Sequence, residues 1–365
     1  MTVGVDLSFI RPDHTNGGTE SCIKNLIRGW IINGKIKEFI FFVHEDIHKD
    51  YKMLFPECRF ICYRMGGSHK VRTTWFQTFI LPRLVKKYKI DVLYYPTYTS
   101  GYYRILGVPV VVNPHDIQYK FYPEYFSFLK RWYLNLGYSH SLKKADRIIA
   151  ISNYVKDSLL EFYGDQCGDK IQTVYDPVDF DRNQSIQPKG ISQPYILSVS
   201  SIQKHKNMIT LVRAFERIHA KIPHQLVIVG CKGNGMEKIQ EYLKEKNISD
   251  RILFTDYIKS EELDWLYENC SLYVTTSLYE GFGMTPIEAM GRGKPTISSK
   301  STSLPEVTRN KAFYYEPAED DRVLSELMLE VIEKGFNLNN AKELIDCYDK
   351  SIISAQLYKV FEDLL

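Results

Sequence analysis

No Cys-x-x-Cys pair occurs in this chain. Its seven cysteines, Cys22, Cys58, Cys62, Cys167, Cys231, Cys270 and Cys347, are scattered and odd in number. That excludes a disulfide framework and a zinc ribbon or finger, and it points to a reducing compartment. Long apolar runs are missing too. No stretch approaches the ~20 residues of a membrane-spanning helix. Asp6 and Arg11 interrupt the apolar start, which argues against a secretory leader. Low-complexity segments are absent, and no His/Asp cluster has metal-ligand spacing. Charge of one sign is also scarce: 47 Lys and Arg against 44 Asp and Glu give a net charge of +3. With no nucleic-acid motif either, the near-neutral balance excludes nucleic acid as a partner.

What is present is a chain of 365 residues, long for one core and suited to two domains. Its hydrophobic fraction of 44% and charged fraction of 25% are those of a globular protein. The two halves differ in charge. Residues 1–190 carry 26 basic and 19 acidic residues, net +7, and the remainder carries 21 and 25, net −4. The asymmetry fits a first half that meets something anionic, and equally a solvated surface with ordinary scatter.

Strand-like runs alternate with helical stretches. In the first half the strand candidates are 2–6, 39–43, 60–63, 92–95, 108–112 and 147–151, with helices expected at 20–30, 75–88 and 126–143. A polar stretch from Arg182 to Gln193, with Pro188, Gly190 and Pro194 in or beside it, marks a boundary. The pattern then restarts, with strands at 195–199, 225–229, 252–254, 272–275 and 296–298. Such alternation predicts an α/β fold with parallel sheets covered on both faces. The boundaries that follow are 1–188, joined by a last helix at 350–365, and 189–349.

The densest chemical signal is Tyr279-Glu280-Gly281-Phe282-Gly283-Met284-Thr285-Pro286-Ile287-Glu288-Ala289-Met290. A strand leads in and a helix leads out. That brings backbone N–H groups and a positive dipole end to an anionic ligand, and the glycines allow close approach. Glu288, placed by this reading in the first helical turn, can accept from the vicinal hydroxyls of a ribose, and Glu280 can face a sugar. The segment therefore reads as a sugar-nucleotide site; a turn that only joins strand to helix is the bland alternative.

This segment resembles the Glu-x7-Glu signature of retaining glycosyltransferases of family 4, of the bacterial surface-polysaccharide type. Tyr-Glu-Gly-Phe-Gly, Pro-Ile-Glu-Ala-Met and Gly-Lys-Pro-Thr-Ile follow one another in the family's order. The resemblance implies a GT-B fold: two Rossmann-like, doubly wound domains facing across a cleft, with the C-terminal helix crossing back to the first. Tyr348 stands where the family often has Trp. Gly17 and Gly18, between the first strand and a helix, resemble the family's N-terminal Gly-Gly loop.

His115, in Asn113-Pro114-His115-Asp116, lies where a strand ends, the edge at which open α/β sheets bind ligands. It matches the family's His, which contacts the donor sugar or lines the acceptor pocket. Lys204-His205-Lys206-Asn207 resembles the loop whose cations hold the donor diphosphate. Here Lys206 matches the family's Lys, His205 replaces an Arg, and Ser200-Ser201 replaces Gly-Arg or Gly-Thr.

The resemblance thus implies a hexosyltransferase. Glu280 and His115 would sit at the reacting sugar. Lys206, His205, Ser201, Gly17, Gly18, Gly281, Phe282, Gly283, Met284, Thr285 and Glu288 would hold the nucleoside-diphosphate sugar, with no metal and no separate cofactor. The acceptor would be a glycan or lipid-linked oligosaccharide, met in the cytoplasm or at the inner face of a membrane. Two segments that mix basic and aromatic residues, 69–89 and 119–133, could meet an anionic lipid surface; for most of these residues, helices with buried aromatics and solvated lysines are the favoured reading. Two other readings stay open at this level. One is a GT-B enzyme that works on nucleotide sugars without transfer, epimerase- or phosphorylase-like. The other is a binding protein with decayed catalysis.

Overall fold

In a computed structural model that describes residues 1–13, 16–102, 105, 107–182, 185–335 and 341–365, the chain divides into two compact units. Met1–Pro177 and Tyr348–Leu365 form one, and Val178–Cys347 the other. The division falls at Pro177, ahead of the polar stretch that composition marked out. The reason is packing: Phe180 lies where a side chain on Gly291 would be, and Ile186 N–H donates to Glu261 O at 3.1 Å, so the stretch belongs to the second unit. Thr15 of the glycine loop, and Asn183 and Gln184 of the expected linker, lie outside the described residues.

The first unit is built on a seven-stranded sheet. Its strands are β1 (Val3–Asp6), β2 (Phe39–His44), β3 (Arg59–Tyr63), β4 (Val92–Tyr95), β5 (Val110–Val112), β6 (Arg147–Ala150) and β7 (Ile171–Thr173). All pairs are parallel, in the order β3-β2-β1-β4-β5-β6-β7, with Val3 opposite both Phe39 and Val92. β2 reads Phe-Ile-Phe-Phe-Val-His and is buried throughout, as a strand with helices on both faces must be. The second unit repeats the plan with β8 (Tyr195–Val199), β9 (Gln225–Val229), β10 (Ile252–Phe254), β11 (Leu272–Thr275), β12 (Thr296–Ser299) and β13 (Phe313–Tyr315), ordered β10-β9-β8-β11-β12-β13. Strand order reverses between β1 and β4 in one sheet and between β8 and β11 in the other. Open α/β sheets bind ligands at such switch points, outside the carboxyl ends of the strands.

β7 and β13 escaped the sequence pattern because each is three residues long and only partly buried. The expected helix at 75–88 is a composite: an α-helical stretch His69–Trp75, a π-helical turn Phe76–Ile80 and a second α-helix Leu81–Tyr88 opened by Pro82.

The C-terminal helix, Lys350–Glu362, packs on the helix Gly18–Ile32 of the first unit. Trp30 Nε1 donates to Ser354 O at 3.1 Å, and Asn33 Nδ2 to Ser351 O at 2.8 Å. Contact is closest at Gly29, where a Cβ would stand 2.1 Å from Lys350 O and 2.3 Å from Ser354 Oγ. Gly29→Ala is therefore expected to destabilise the fold by about 2 kcal/mol or more, because backbone has to move to admit the methyl group. Urea unfolding measures it; an unchanged midpoint would mean that the two helices do not approach so closely.

Candidate functional site

At the β8–β11 switch point of the second unit, two loops converge. One leaves β8, passes through a 3-10 turn Lys204–Lys206 and enters the helix Met208–Ile218; the other joins β11 to the helix Met284–Gly291. Thr276 Oγ1 donates to Lys206 O at 2.9 Å, and Leu278 N–H donates to His205 O at 2.7 Å, so the two loops are locked together. The result is a salt bridge between residues 74 apart in sequence: Lys206 Nζ lies 2.6 Å from Glu280 Oε1. Ser277 Oγ donates to the same oxygen at 2.8 Å, and the Glu280 backbone N–H donates to Thr302 Oγ1 at 3.0 Å. Thr302 has φ 50°, an unusual conformation for a β-branched residue, held where it fixes Glu280.

Burial works against the Glu280 carboxylate. The Lys206 charge and the hydrogen bonds from Lys206 and Ser277 outweigh it and hold its pKa below the ordinary value. Glu280 is accordingly a fixed negative charge at neutral pH. His205 is the opposite case. Burial, then the neighbouring Lys206 charge, lowers its pKa to about 4. It is neutral at pH 7 and adds no cation for a phosphate, which leaves that work in this loop to the half-buried Lys206. Ser201 is exposed, and Ser200 Oγ turns back to Ser201 O at 3.3 Å.

Gly283 forms the N-terminus of the helix Met284–Gly291 with φ 97°, and no side chain caps it. A Cβ at Gly283 would also lie 2.8 Å from Leu304 Cδ2. Glycine is required there for the backbone angle. Gly281 and Phe282 are buried in the approach to this turn, and Met284 and Thr285 form the partly exposed first turn. Ser303 Oγ donates to Glu280 O and Phe282 O at 3.0 and 2.9 Å, pinning the loop from β12's side.

Glu288 is the fifth residue of this helix and so sits in its second turn, not the first. Its Oε2 accepts from the Tyr267 hydroxyl at 2.7 Å. Burial raises its pKa; the Tyr267 hydrogen bond and the Arg292 charge oppose this, while the charges of Asp179 and Asp264 add to it. Arg292 pairs with Asp264 and lies over the Tyr267 ring, 5.0 Å from its centroid. Asp179-Phe180-Asp181 is an Asp-x-Asp triplet that the sequence reading passed over. Asp181 N–H donates to Asp179 Oδ1 at 3.1 Å. Among the described residues, no group of three or more His, Cys, Asp or Glu side chains could hold a metal ion.

The loop after β9 flanks that after β8. Ile202 N–H donates to Cys231 O at 2.9 Å, and Lys204 N–H to Asn234 Oδ1 at 2.9 Å. Asp256, after β10, has φ 30°.

In the first unit, Gly17 (φ 57°) precedes the helix Gly18–Ile32 without a side-chain cap, and both glycines are exposed. His115 follows β5. Its Nε2 lies 3.0 Å from Pro96 O, and its Nδ1 lies 3.7 Å from Asp176 Oδ2. Burial disfavours the imidazolium, but Asp176 and the Pro96 carbonyl outweigh burial and hold the pKa above the usual value. Cys22 Sγ donates to the other Asp176 oxygen at 3.1 Å. Both ring nitrogens thus face groups of the protein itself. Sequence reasoning missed Asp176, Ser277, Thr302, Tyr267 and Arg292. The last two stand 21 residues before and 4 after Glu288, and no spacing rule singles out Tyr267.

Two family models match the chain almost end to end: Glycosyltransferase Family 4 over residues 16–182 and Glycosyl transferases group 1 over residues 179–346. The O-antigen chain mannosyltransferase RfbU of Salmonella typhimurium is 28% identical over 209 residues, which are 57% of each protein. The serotype-specific mannosyltransferase WbdA of Escherichia coli is 31% identical over 179 residues, 45% of this chain and 22% of WbdA. The matched stretch is therefore little more than half of the first relative and about a fifth of the second. Among solved structures, Anabaena HepE in complex with UDP and glucose superposes with a TM-score of 0.76 at 17% identity, covering 99% of both chains. Sucrose-phosphate synthase of Thermosynechococcus elongatus does so with 0.79 at 18%, covering 100% of this chain and 99% of that one. The fold is GT-B, and the chain belongs to the glycosyltransferases, with a family 4 domain followed by a group 1 domain.

Proposed function

We propose that the protein is a retaining hexosyltransferase. It moves a mannose-, glucose- or rhamnose-type sugar from a nucleoside-diphosphate donor to a glycan or lipid-linked oligosaccharide, in the assembly of a polysaccharide such as an O-antigen. The observation that carries this reading is the Lys206–Glu280 pair beside the uncapped helix start at Gly283, at the switch point of the second sheet. A nucleoside diphosphate leaves readily only if its developing charge is met. An ammonium has three donors, and the Glu280 bond uses one, so Lys206 can turn others to phosphate oxygens. The N–H groups of Met284 and Thr285 add to this in a site that costs no reorganisation at the moment of reaction. Glu280, kept ionised, is suited to stabilise positive charge developing on the transferred sugar. Glu288 would take the ribose hydroxyls. Within the first unit, Gly17, Gly18 and His115 are proposed to contact sugar. The cationic work falls to Lys206 and the helix start, so no metal is required. The mannosyltransferase relatives favour transfer over a non-transferring nucleotide-sugar enzyme.

Thermal-shift titration with UDP, GDP, ADP and dTDP, and with their sugar conjugates, tests the donor site. One nucleotide is expected to raise the Tm by mass action, with or without EDTA. Lys206→Ala and Glu288→Ala are expected to abolish that shift. A shift that disappears in EDTA would overturn the metal-free reading, and no shift with any nucleotide would overturn the donor site.

A further inference from the structure

From the sequence, burial is the favoured reading for most of the aromatics of residues 69–89 and 119–133. The fold exposes many of them. Along the helix Phe128–Lys144, Phe128, Leu129, Trp132, Tyr133 and Leu136 are all exposed, Leu129 by 75% and Trp132 by 60%. Spacings of one, four, five and eight residues from Phe128 put them on one face. Val71, Trp75 and Phe79, four apart, form a second exposed stripe on the segment His69–Ile80. The stripes adjoin: Lys70, Trp75, Phe79 and Tyr133 line one open groove of about 570 Å³, and Lys70 Nζ lies 6.0 Å from the Tyr133 ring centroid.

An exposed apolar patch this large marks an interaction surface. Its occupant is indicated by charge. Residues 59–145 contain 14 Lys and Arg but only three Asp and Glu, Asp91, Asp116 and Glu124, a net of +11 in a chain whose total is +3. Lys70 and Lys130 are exposed beside the two stripes, and Arg83, Lys86, Lys87 and Lys89 continue the basic surface. Apolar side chains with Trp and Tyr, rimmed by cations, match the boundary of a bilayer with anionic headgroups.

We propose that this face of the first unit seats on an anionic lipid bilayer, with Phe128, Leu129, Trp132 and Trp75 entering the headgroup–acyl boundary and the lysines meeting lipid phosphates. It deepens the acceptor reading given above, on which it rests for its purpose: a lipid-linked acceptor would be presented at the surface to which the enzyme is held.

The test is co-sedimentation of the full chain with phosphatidylcholine vesicles, with and without phosphatidylglycerol. Binding is expected only with phosphatidylglycerol, and to weaken with added salt. The triple variant Phe128→Ser, Leu129→Ser, Trp132→Ser should bind at least about tenfold more weakly. Lys70→Glu with Lys130→Glu should lose about fivefold or more. All these side chains are exposed, so the Tm and the nucleotide shift should stay as in the wild type. Absence of binding to phosphatidylglycerol vesicles overturns the proposal, as does binding unaltered in both variants, or self-association that the triple variant abolishes without any dependence on lipid. A nucleotide shift that survives failed vesicle binding leaves the donor site standing. Vesicle binding without any nucleotide shift rejects the donor site instead.

Discussion

Glu280→Gln is expected to lower the rate of sugar transfer about a thousandfold, the scale of removing one preorganised electrostatic group from a reacting centre. Nucleotide affinity should change little, because the neutral amide leaves Lys206 free to turn to the diphosphate. Two features make the charge itself the issue. Gln keeps the shape of Glu and can still accept from Ser277, so the geometry held by Ser277, Thr302 and Ser303 survives. And the pKa of Glu280 is held below its ordinary value, so the wild-type rate should show no loss from its protonation until the pH falls below the usual carboxylate range. The same depression carries a stability consequence. A carboxylate whose folded pKa lies below its unfolded value contributes stability above the unfolded pKa and loses it as pH falls through the folded one. Glu280→Gln should therefore cost on the order of 1 kcal/mol at neutral pH, and the wild-type advantage should fade in acid. Initial rates with a labelled donor, beside calorimetric titration of the nucleotide, separate the two effects. A variant that transfers sugar at the wild-type rate would remove Glu280 from the chemistry.

Much of this site was legible because its parts are local. Leu272 to Met290 carries the strand, the two glycines and the helix start in one continuous stretch, and backbone geometry alone explains each. What stayed hidden are contacts made by topology. Lys206 and Glu280 meet because β8 and β11 are neighbours at the point where strand order reverses, a pairing no sequence window contains. Asp176 reaches His115 across 61 residues, and Tyr267 reaches Glu288 from the helix before β11. Hydroxyls such as Ser277 and Thr302 give no periodic signal at all; one is fully buried and the other holds a strained angle. The side on which an amphipathic helix packs is likewise a tertiary fact. Trp75 and Phe76 are adjacent in sequence, yet the first is exposed and the second buried.

Glu288→Gln is expected to separate binding from stability. Binding should fall about tenfold or more, because a ribose hydroxyl donating to a carboxylate is a charge-assisted bond and the amide replaces it with a neutral one. Stability at neutral pH should hold or rise. Burial, helped by the charges of Asp179 and Asp264, raises the Glu288 pKa above its ordinary value against the opposing Tyr267 bond and Arg292 charge. A carboxyl with a raised folded pKa contributes its full stability below the unfolded pKa and loses it as pH rises through the folded one, so at neutral pH its ionised form counts against the fold. The neutral amide escapes that penalty and can still accept from Tyr267. The wild type should accordingly lose nucleotide affinity on acidification, as Glu288 takes up a proton, while its fold tightens over the same range. In Glu288→Gln both slopes should flatten. Tm and nucleotide Kd measured across pH for both proteins decide the matter. If affinity in the wild type is flat through the range where Glu288 titrates, the ribose is held by other groups and the carboxylate serves the Tyr267–Arg292–Asp264 cluster alone.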